Sequence, residues 1–274
     1  MSVPEPLIVP PAAPGGGIAR PDATVDSPAW WRPVPGRLHS WDVSTGVDGP
    51  GTRFVAFLAG CPLRCLYCQN PDTWRMRDGT RTTAGAVIDR AADFVAFVRT
   101  AGGGLTVSGG EPLLQAAFTT ALFTGARELG LHTALDTSGA LGARATDALL
   151  AVTDLVLLDI KAWDPDRYHR LTGGVVGPTL RFARRLAARR TPVWIRYVLV
   201  PGLTDDPAEV DGVAGFAAGL GNVERVDVLP FHRLGTAKYD RLGIPFRLRD
   251  TAPPDRDLIE QVRARFAAHG LTVY

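Results

Sequence analysis

Three cysteines fall within one short stretch, Gly60-Cys61-Pro62-Leu63-Arg64-Cys65-Leu66-Tyr67-Cys68-Gln69-Asn70, and the rest of the 274-residue sequence has none. Thiols clustered in this way point to a metal site, because a disulfide framework needs an even and dispersed set. Three thiolates on one loop can hold three irons of a four-iron, four-sulfur (4Fe-4S) cluster, whereas an electron-transfer cluster of that type takes four cysteines. One iron is then left without a protein ligand, free to bind a substrate or cofactor directly. The missing fourth cysteine therefore argues for chemistry at the cluster rather than electron carriage. A structural zinc site would also want a fourth ligand. None of the five histidines, His39, His132, His169, His232 and His269, is close in sequence, although the fold could bring one near. A zinc-binding interaction module is thus the competing reading from another functional class.

Other residues are suggestive but open when read singly. The glycines of Ser108-Gly109-Gly110-Glu111 let backbone approach a ligand closely, yet the same strand-to-helix turn suits a phosphate or a plain tight turn. Asp159 and Lys161 are two apart on a strand, so both side chains project to one face. They form either a surface ion pair or part of a site. His232, after an apolar strand, reads as a satisfied core histidine or a ligand contact. Arg196 lies in an apolar strand and needs a partner, for which a cofactor carboxylate, a substrate backbone or a structural carboxylate would serve. Arg184, Arg185, Arg189 and Arg190 read as the solvated face of a helix.

The elements that must position these residues follow from hydrophobic period. Strands are predicted over 54–58, 105–108, 132–136, 155–160, 193–200 and 226–229. Helices are predicted between them over 83–100, 113–129, 143–152, 179–190 and 210–218, with a last one over 255–269 and a further short strand over 271–274. Alternation of this kind implies a parallel α/β sheet, and six strands favour a partial (β/α)6 barrel over the closed eight-stranded type. The cysteine loop, Gly109-Gly110-Glu111, Asp136-Thr137, Asp159, Lys161 and His232 each fall at or just after the C-terminal end of a predicted strand, the edge where parallel α/β folds build their sites.

Residues 1–35 hold nine of the 22 prolines and no period, and are read as a flexible extension to a domain spanning 36–274. Trp30 and Trp31 are its exception, two adjacent aromatics expected to dock as a packing anchor. A net charge of +2 gives no field that would imply nucleic acid or membrane as partner. The absence of a signal-peptide pattern and of a long apolar run, with thiols suited to a reducing compartment, leads us to expect a cytoplasmic protein. We expect it to act as a monomer.

Taken as an ordered series, the chain resembles the pyruvate formate-lyase activating enzymes of the radical S-adenosylmethionine class. The C-x3-C-x2-C loop with an aromatic before its last cysteine carries this resemblance. So do Gly36-Arg37-Leu38-His39-Ser40, Asp48-Gly49-Pro50-Gly51, Asn70-Pro71-Asp72-Thr73-Trp74, Ser108-Gly109-Gly110-Glu111, Leu135-Asp136-Thr137, Asp159-Ile160-Lys161, Trp194-Ile195-Arg196-Tyr197, Val200-Pro201-Gly202 and His232-Arg233-Leu234-Gly235. The resemblance implies that Cys61, Cys65 and Cys68 ligate a 4Fe-4S cluster whose open iron chelates S-adenosylmethionine. One electron then yields methionine and a 5′-deoxyadenosyl radical, which takes a Cα hydrogen from a glycine of pyruvate formate-lyase. It also implies cofactor contacts from Tyr67, Cys68, Gln69, Gly110, Asp159, Ile160, Lys161 and His232, with Glu111 supplying nearby negative charge. Asp136, Thr137 and Asp159 resemble the family's monovalent-cation site. Gln69 departs from the histidine common at its position. Reduced flavodoxin or ferredoxin is the implied electron donor. The alternative within the class is an activase of another glycyl-radical enzyme, such as anaerobic ribonucleotide reductase.

Overall fold

The computed structural model describes residues 29–274. Most of the extension expected over 1–35 therefore lies outside the described residues. Within them, eight strands form one sheet: β1 (Pro35–Thr45), β2 (Thr52–Leu58), β3 (Thr80–Thr83), β4 (Gly104–Gly109), β5 (His132–Thr137), β6 (Leu155–Asp159), β7 (Val193–Leu199) and β8 (Val223–Pro230). Their order is β3-β1-β2-β4-β5-β6-β7-β8, and every pairing from β2 through β8 is parallel. These six parallel strands are the six expected, each followed by at least one helix, and the sheet stays open.

Two further strands were not anticipated. β1 and β3 pair antiparallel, β1 with β2 on one side and with β3 on the other. Neither carries a clear apolar alternation; β3 is Thr80-Arg81-Thr82-Thr83. Strands added in turn to the free side of β2, with β3 left at the edge, are specified by the backbone groups of the strand already in place more than by their own pattern. The short strand expected over 271–274 is reduced to a single parallel bridge of Val273 to Val226 beside β8.

Seven helices fall on the predicted segments, the first candidate dividing into Ala84–Ala92 and Val95–Thr100. Two others, Pro165–Thr172 and Thr236–Leu242, were not expected. The period-two alternation of the parallel strands sorts their side chains. One set, including Phe54, Leu58, Leu105, Leu135, Val156, Leu158, Ile195 and Val228, packs with the helices in the main core. The alternate set, including Thr106, Ser108, Asp136, Asp159 and Arg196, faces the concave side, which places polar groups where a ligand can meet them.

Packed structure begins ahead of the boundary expected at residue 36. Trp31 is 2% exposed, its Nε1 donates to Glu128 Oε1 at 2.8 Å, and a Cβ on Gly125 would lie 2.7 Å from its ring. The expected anchor is therefore Trp31 alone, since Trp30 is 54% exposed. Trp31→Ala should cost about 3–5 kcal/mol through the cavity and the stranded carboxylate, read as a lower urea midpoint. Trp30→Ala should leave the midpoint within about 0.5 kcal/mol of the unsubstituted value.

Candidate active site

The cysteine loop leaves β2 at Gly60, whose φ of 96° favours glycine and whose added Cβ would meet Met76 Sδ at 2.4 Å. Its backbone is fastened along its length. Gly60 and Cys61 donate to Thr73 O and Trp74 O at 2.6 and 3.1 Å, and Arg64 and Leu66 donate to Thr172 O and Leu171 O at 2.8 and 2.9 Å. The last two acceptors end the helix Pro165–Thr172 that the sequence reading missed. With the backbone fixed, the three free thiols line one wall of a cavity of about 250 Å³.

The remaining walls collect most of the residues expected there. Tyr67, Gln69, Gly110, Asp136, Thr137, Asp159, Lys161, Arg196 and His232 all line this cavity. Ser108, Ser138, Trp74 and Val198 join them. Ile160 does not: its side chain is fully buried in the helix-side core, because it alternates with its neighbours along the strand. Gly110 approaches the cysteine loop so closely that a Cβ would lie 2.2 Å from Gly60 O.

Asp159 and Lys161 do project to one face, but into the cavity rather than to the surface, with Lys161 Nζ 3.2 Å from Asp159 Oδ2. Burial opposes the ammonium charge, yet Asp159, then Cys65 and Tyr67, hold its pKa well above the ordinary lysine value. Arg196 finds a structural carboxylate, Asp136 Oδ2 at 3.1 Å, which also accepts from Ser108 Oγ at 2.5 Å. Burial pushes the Asp136 carboxyl up against the pull of Arg196. The guanidinium is itself penalised by burial but held above its usual range by Asp136 and Asp159. Its Nε, and the hydroxyl of Tyr67, are buried without a hydrogen-bond partner. Orphaned polar atoms of this kind at a cavity wall fit a polar ligand that would complete them.

The thiols sit in a setting that disfavours their charge. Burial, then Glu111 and Cys65, raises Cys61 to about 12, and burial raises Cys65 to about 11 and also raises Cys68. Only coordination to a cation would hold all three as thiolates near neutral pH. Among the described residues no three His, Cys, Asp or Glu side chains are grouped to hold one metal ion. A zinc ion draws its donors around one centre, whereas a 4Fe-4S cluster takes each thiolate at a separate iron.

Two side chains tie the site's elements together. Glu111 is fully buried and lines no part of the cavity, so its charge reaches the site only through its neighbour Cys61. Its Oε1 accepts from Leu113 N at 3.1 Å and Thr137 Oγ1 at 2.6 Å, and its Oε2 from Ser138 N and Oγ at 3.0 and 2.5 Å, tying the turn after β4 to the end of β5. Burial raises its pKa against those bonds. Gln69 acts as a latch. Its Nε2 donates to His232 O at 2.8 Å and its Oε1 accepts from Gly235 N at 2.8 Å, so the segment after β8 is pinned to the cysteine loop. Tyr239 OH, donating to Cys68 O at 3.0 Å, and Lys238 Nζ, donating to Asn70 Oδ1 at 2.7 Å, extend the same seam from the second unexpected helix. Gln69→Ala should lose about 0.5–1.5 kcal/mol per bond. We expect faster amide exchange at Gly235 with unchanged iron uptake; unchanged exchange would remove the latch.

For the cation expected at Asp136, Thr137 and Asp159, the geometry offers less than the sequence suggested. Each carboxylate already faces a basic side chain, and the Thr137 hydroxyl donates to Glu111. Asp159 still adds to the upward push on the Asp136 carboxyl, after burial and against Arg196.

A family model of the radical SAM superfamily matches residues 55–211. The pyruvate formate-lyase-activating enzyme of Staphylococcus epidermidis is 43% identical over 233 residues, covering 82% of this chain and 93% of the relative. That of Staphylococcus aureus strain USA300 is 44% identical over 232 residues, covering 82% and 92%. Among solved structures, a domain of pyruvate-formate lyase-activating enzyme from Bacteroides vulgatus superposes with a TM-score of 0.53 at 25% identity, covering 63% of this chain and 98% of that one. Streptococcus suis SuiB bound to precursor peptide SuiA gives a TM-score of 0.60 at 15% identity, covering 82% of this chain and 48% of that one, a likeness of fold alone.

Proposed function

The chain belongs to the radical SAM superfamily and, within it, to the family of pyruvate formate-lyase-activating enzymes, and from this premise we propose that its cavity generates a glycyl radical on pyruvate formate-lyase. The observation that carries the reading is the convergence of three free thiols, with no fourth cysteine in the chain, on one cavity with Gly110, Asp159, Lys161 and Arg196.

Cys61, Cys65 and Cys68 would hold three irons of a 4Fe-4S cluster, leaving one open to the amino and carboxylate groups of S-adenosylmethionine. When bound, cluster and cofactor supply a one-electron cleavage and a carbon radical able to take a glycine Cα hydrogen. The chain's own residues position and insulate that chemistry. Gly110 offers backbone at the closest approach to the cysteine loop. Lys161, charged at neutral pH, would hold the cofactor carboxylate and Asp159 the ribose, while Tyr67 and His232 would contact the adenosyl group. The unpaired Nε of Arg196 is available to a carboxylate or to substrate backbone. Trp74, Val198 and Phe231 supply apolar wall, which limits water at a reactive centre.

With all three cysteines committed, the chain has no ligand set for a second cluster, so the electron comes from outside; a reduced flavodoxin or ferredoxin fits this need. Among the described residues no helix is long and apolar enough to cross a membrane, and a reducing cytoplasm suits the free thiols. The test is isotopic. A peptide spanning the target glycine, deuterated at Cα, should pass deuterium into 5′-deoxyadenosine. Cofactor cleavage without deuterium in that product would point to another substrate.

A further inference from the structure

The segment Asp48-Gly49-Pro50-Gly51, between β1 and β2, has no part in the chemistry above, yet it lies close beneath the cavity. Thr106 and Ala134 stand two residues before the cavity residues Ser108 and Asp136 on β4 and β5, on the same face and one pleat deeper. There the Thr106 hydroxyl donates to Asp48 O at 2.7 Å, and a Cβ on Gly49, whose φ is 122°, would lie 3.7 Å from Ala134 Cβ. The Asp48 carboxylate accepts from Ser44 Oγ at 2.5 Å. Its charge also reaches the cavity: burial opposes the Arg196 guanidinium, and Asp136, Asp159 and then Asp48 hold it charged.

Arg53, at the start of β2 and fully buried, grips this segment. Gly104 on the neighbouring strand leaves room for the guanidinium, since a Cβ there would lie 2.6 Å from Nη1. Among the described residues no carboxylate is within ion-pair distance of Arg53. Burial lowers its pKa to about 10, with Asp154 and Asp48 acting from further off to raise it, so it is charged at neutral pH. A buried charge of this kind needs its donors met. Nε donates to Thr106 Oγ1 at 2.9 Å, Nη2 to Leu105 O and His132 O at 2.7 and 3.1 Å, and Nη1 to His132 Nδ1 at 3.2 Å and, more loosely, to Pro50 O at 3.5 Å. A guanidinium can only donate. Thr106 Oγ1 must therefore accept from Arg53 and turn its own proton to Asp48 O, and His132 Nδ1 must be the bare nitrogen of a neutral ring. The direction of every bond is thus set from the arginine outward to the segment.

We propose that Arg53 and Thr106 are positioning residues for the peptide substrate: together they hold the Asp48 segment under the cavity, so that Arg196 keeps its place beside Asp136 with Nε free for substrate backbone. This rests on the functional reading above. Neither residue lines the cavity, so neither touches cofactor or substrate. They act through Asp48 and Arg196. Stability alone gives no reason for the charge, because an apolar side chain of similar volume packed among β2, β4 and β5 would serve at least as well as a buried cation. What an apolar residue could not do is direct the Thr106 proton to Asp48 O.

The test uses Thr106, since removing Arg53 would strip a whole set of buried bonds and the fold with them. Thr106→Val keeps the shape and loses the hydroxyl; Thr106→Ser keeps the hydroxyl. In the iron-loaded Thr106→Val chain, with dithionite as reductant, KM for a peptide spanning the target glycine should rise at least about tenfold, with turnover at saturation within about twofold of the unsubstituted chain. Affinity for S-adenosylmethionine and iron content should not change, and Thr106→Ser should restore KM. In the chain without iron, amide exchange over residues 48–51 should quicken in Thr106→Val, while the β4 amides of Leu105 and Val107 keep their protection. Quicker exchange with an unchanged KM would make the pair merely structural and overturn the proposal. So would a KM defect shared equally by Thr106→Ser, or a parallel loss of cofactor affinity. Failure of the unsubstituted chain to cleave cofactor would instead sink the functional reading, and unchanged exchange over 48–51 would overturn the grip on the segment whatever the chain's activity.

Discussion

Serine at Cys61, at Cys65 or at Cys68 should each abolish the brown colour, the bound iron and the cleavage of S-adenosylmethionine together. Each thiolate would hold a different iron, and the chain has no other cysteine to take its place. Serine offers a harder, more weakly acidic oxygen donor in a setting where burial already penalises ionisation of the native thiols. The fold should survive, because the loop is held by backbone bonds to Thr73, Trp74, Thr172 and Leu171 rather than by the sulfurs. A drop of more than about tenfold in iron content with an unchanged melting temperature is therefore the expected pair of results. A Cys65→Ser chain with full iron and normal cleavage would show that the cluster is held elsewhere.

Lys161→Ala should weaken S-adenosylmethionine binding by about tenfold to a hundredfold, the range of a charge-assisted hydrogen bond of about 1.5–3 kcal/mol. Iron content should stay unchanged. Lys161 is 11% exposed and its partner Asp159 21%, so removing the ammonium also leaves a largely buried carboxylate without its counter-charge. Asp159→Asn in the Lys161→Ala background should therefore recover stability but not affinity. The pH dependence follows from the raised lysine pKa. Stability from the pair is fully present below about pH 10.4, the ordinary value, and is lost only as pH rises through the higher folded-state value. The affinity defect should accordingly be constant across the neutral range. Unchanged affinity in Lys161→Ala would return the pair to a structural role.

The six parallel strands were legible because each is a short apolar run between helical segments, and their C-terminal ends carried the motifs. What stayed hidden was how the cysteine loop is held. The helix Pro165–Thr172 did carry local signals, the Asp164 cap, a proline at its start and Gly173 at its end, which a search for long apolar runs passes over; Thr236–Leu242 is seven residues long without a side-chain cap, and tertiary contacts decide it. Glu111 sits in a motif that suggested nearby negative charge, which it does exert on Cys61. Only the three-dimensional proximity of Thr137 and Ser138 makes it a buried tether. Gln69 bridges to residues more than 160 positions away in the chain, His232 and Gly235, a pairing that no local pattern records. Ile160 lies between two cavity residues, and strand alternation was enough to turn it away. Asp159 and Lys161 illustrate the converse: their spacing fixed a shared face, while only the fold could say that this face is a cavity.

The most direct measurement of the central claim is electron paramagnetic resonance of pyruvate formate-lyase after anaerobic incubation with the iron-loaded chain, S-adenosylmethionine and reductant. The account predicts a glycyl doublet on the partner, absent when any one of Cys61, Cys65 and Cys68 is serine. Cofactor cleavage to 5′-deoxyadenosine with no glycyl signal on pyruvate formate-lyase would contradict it.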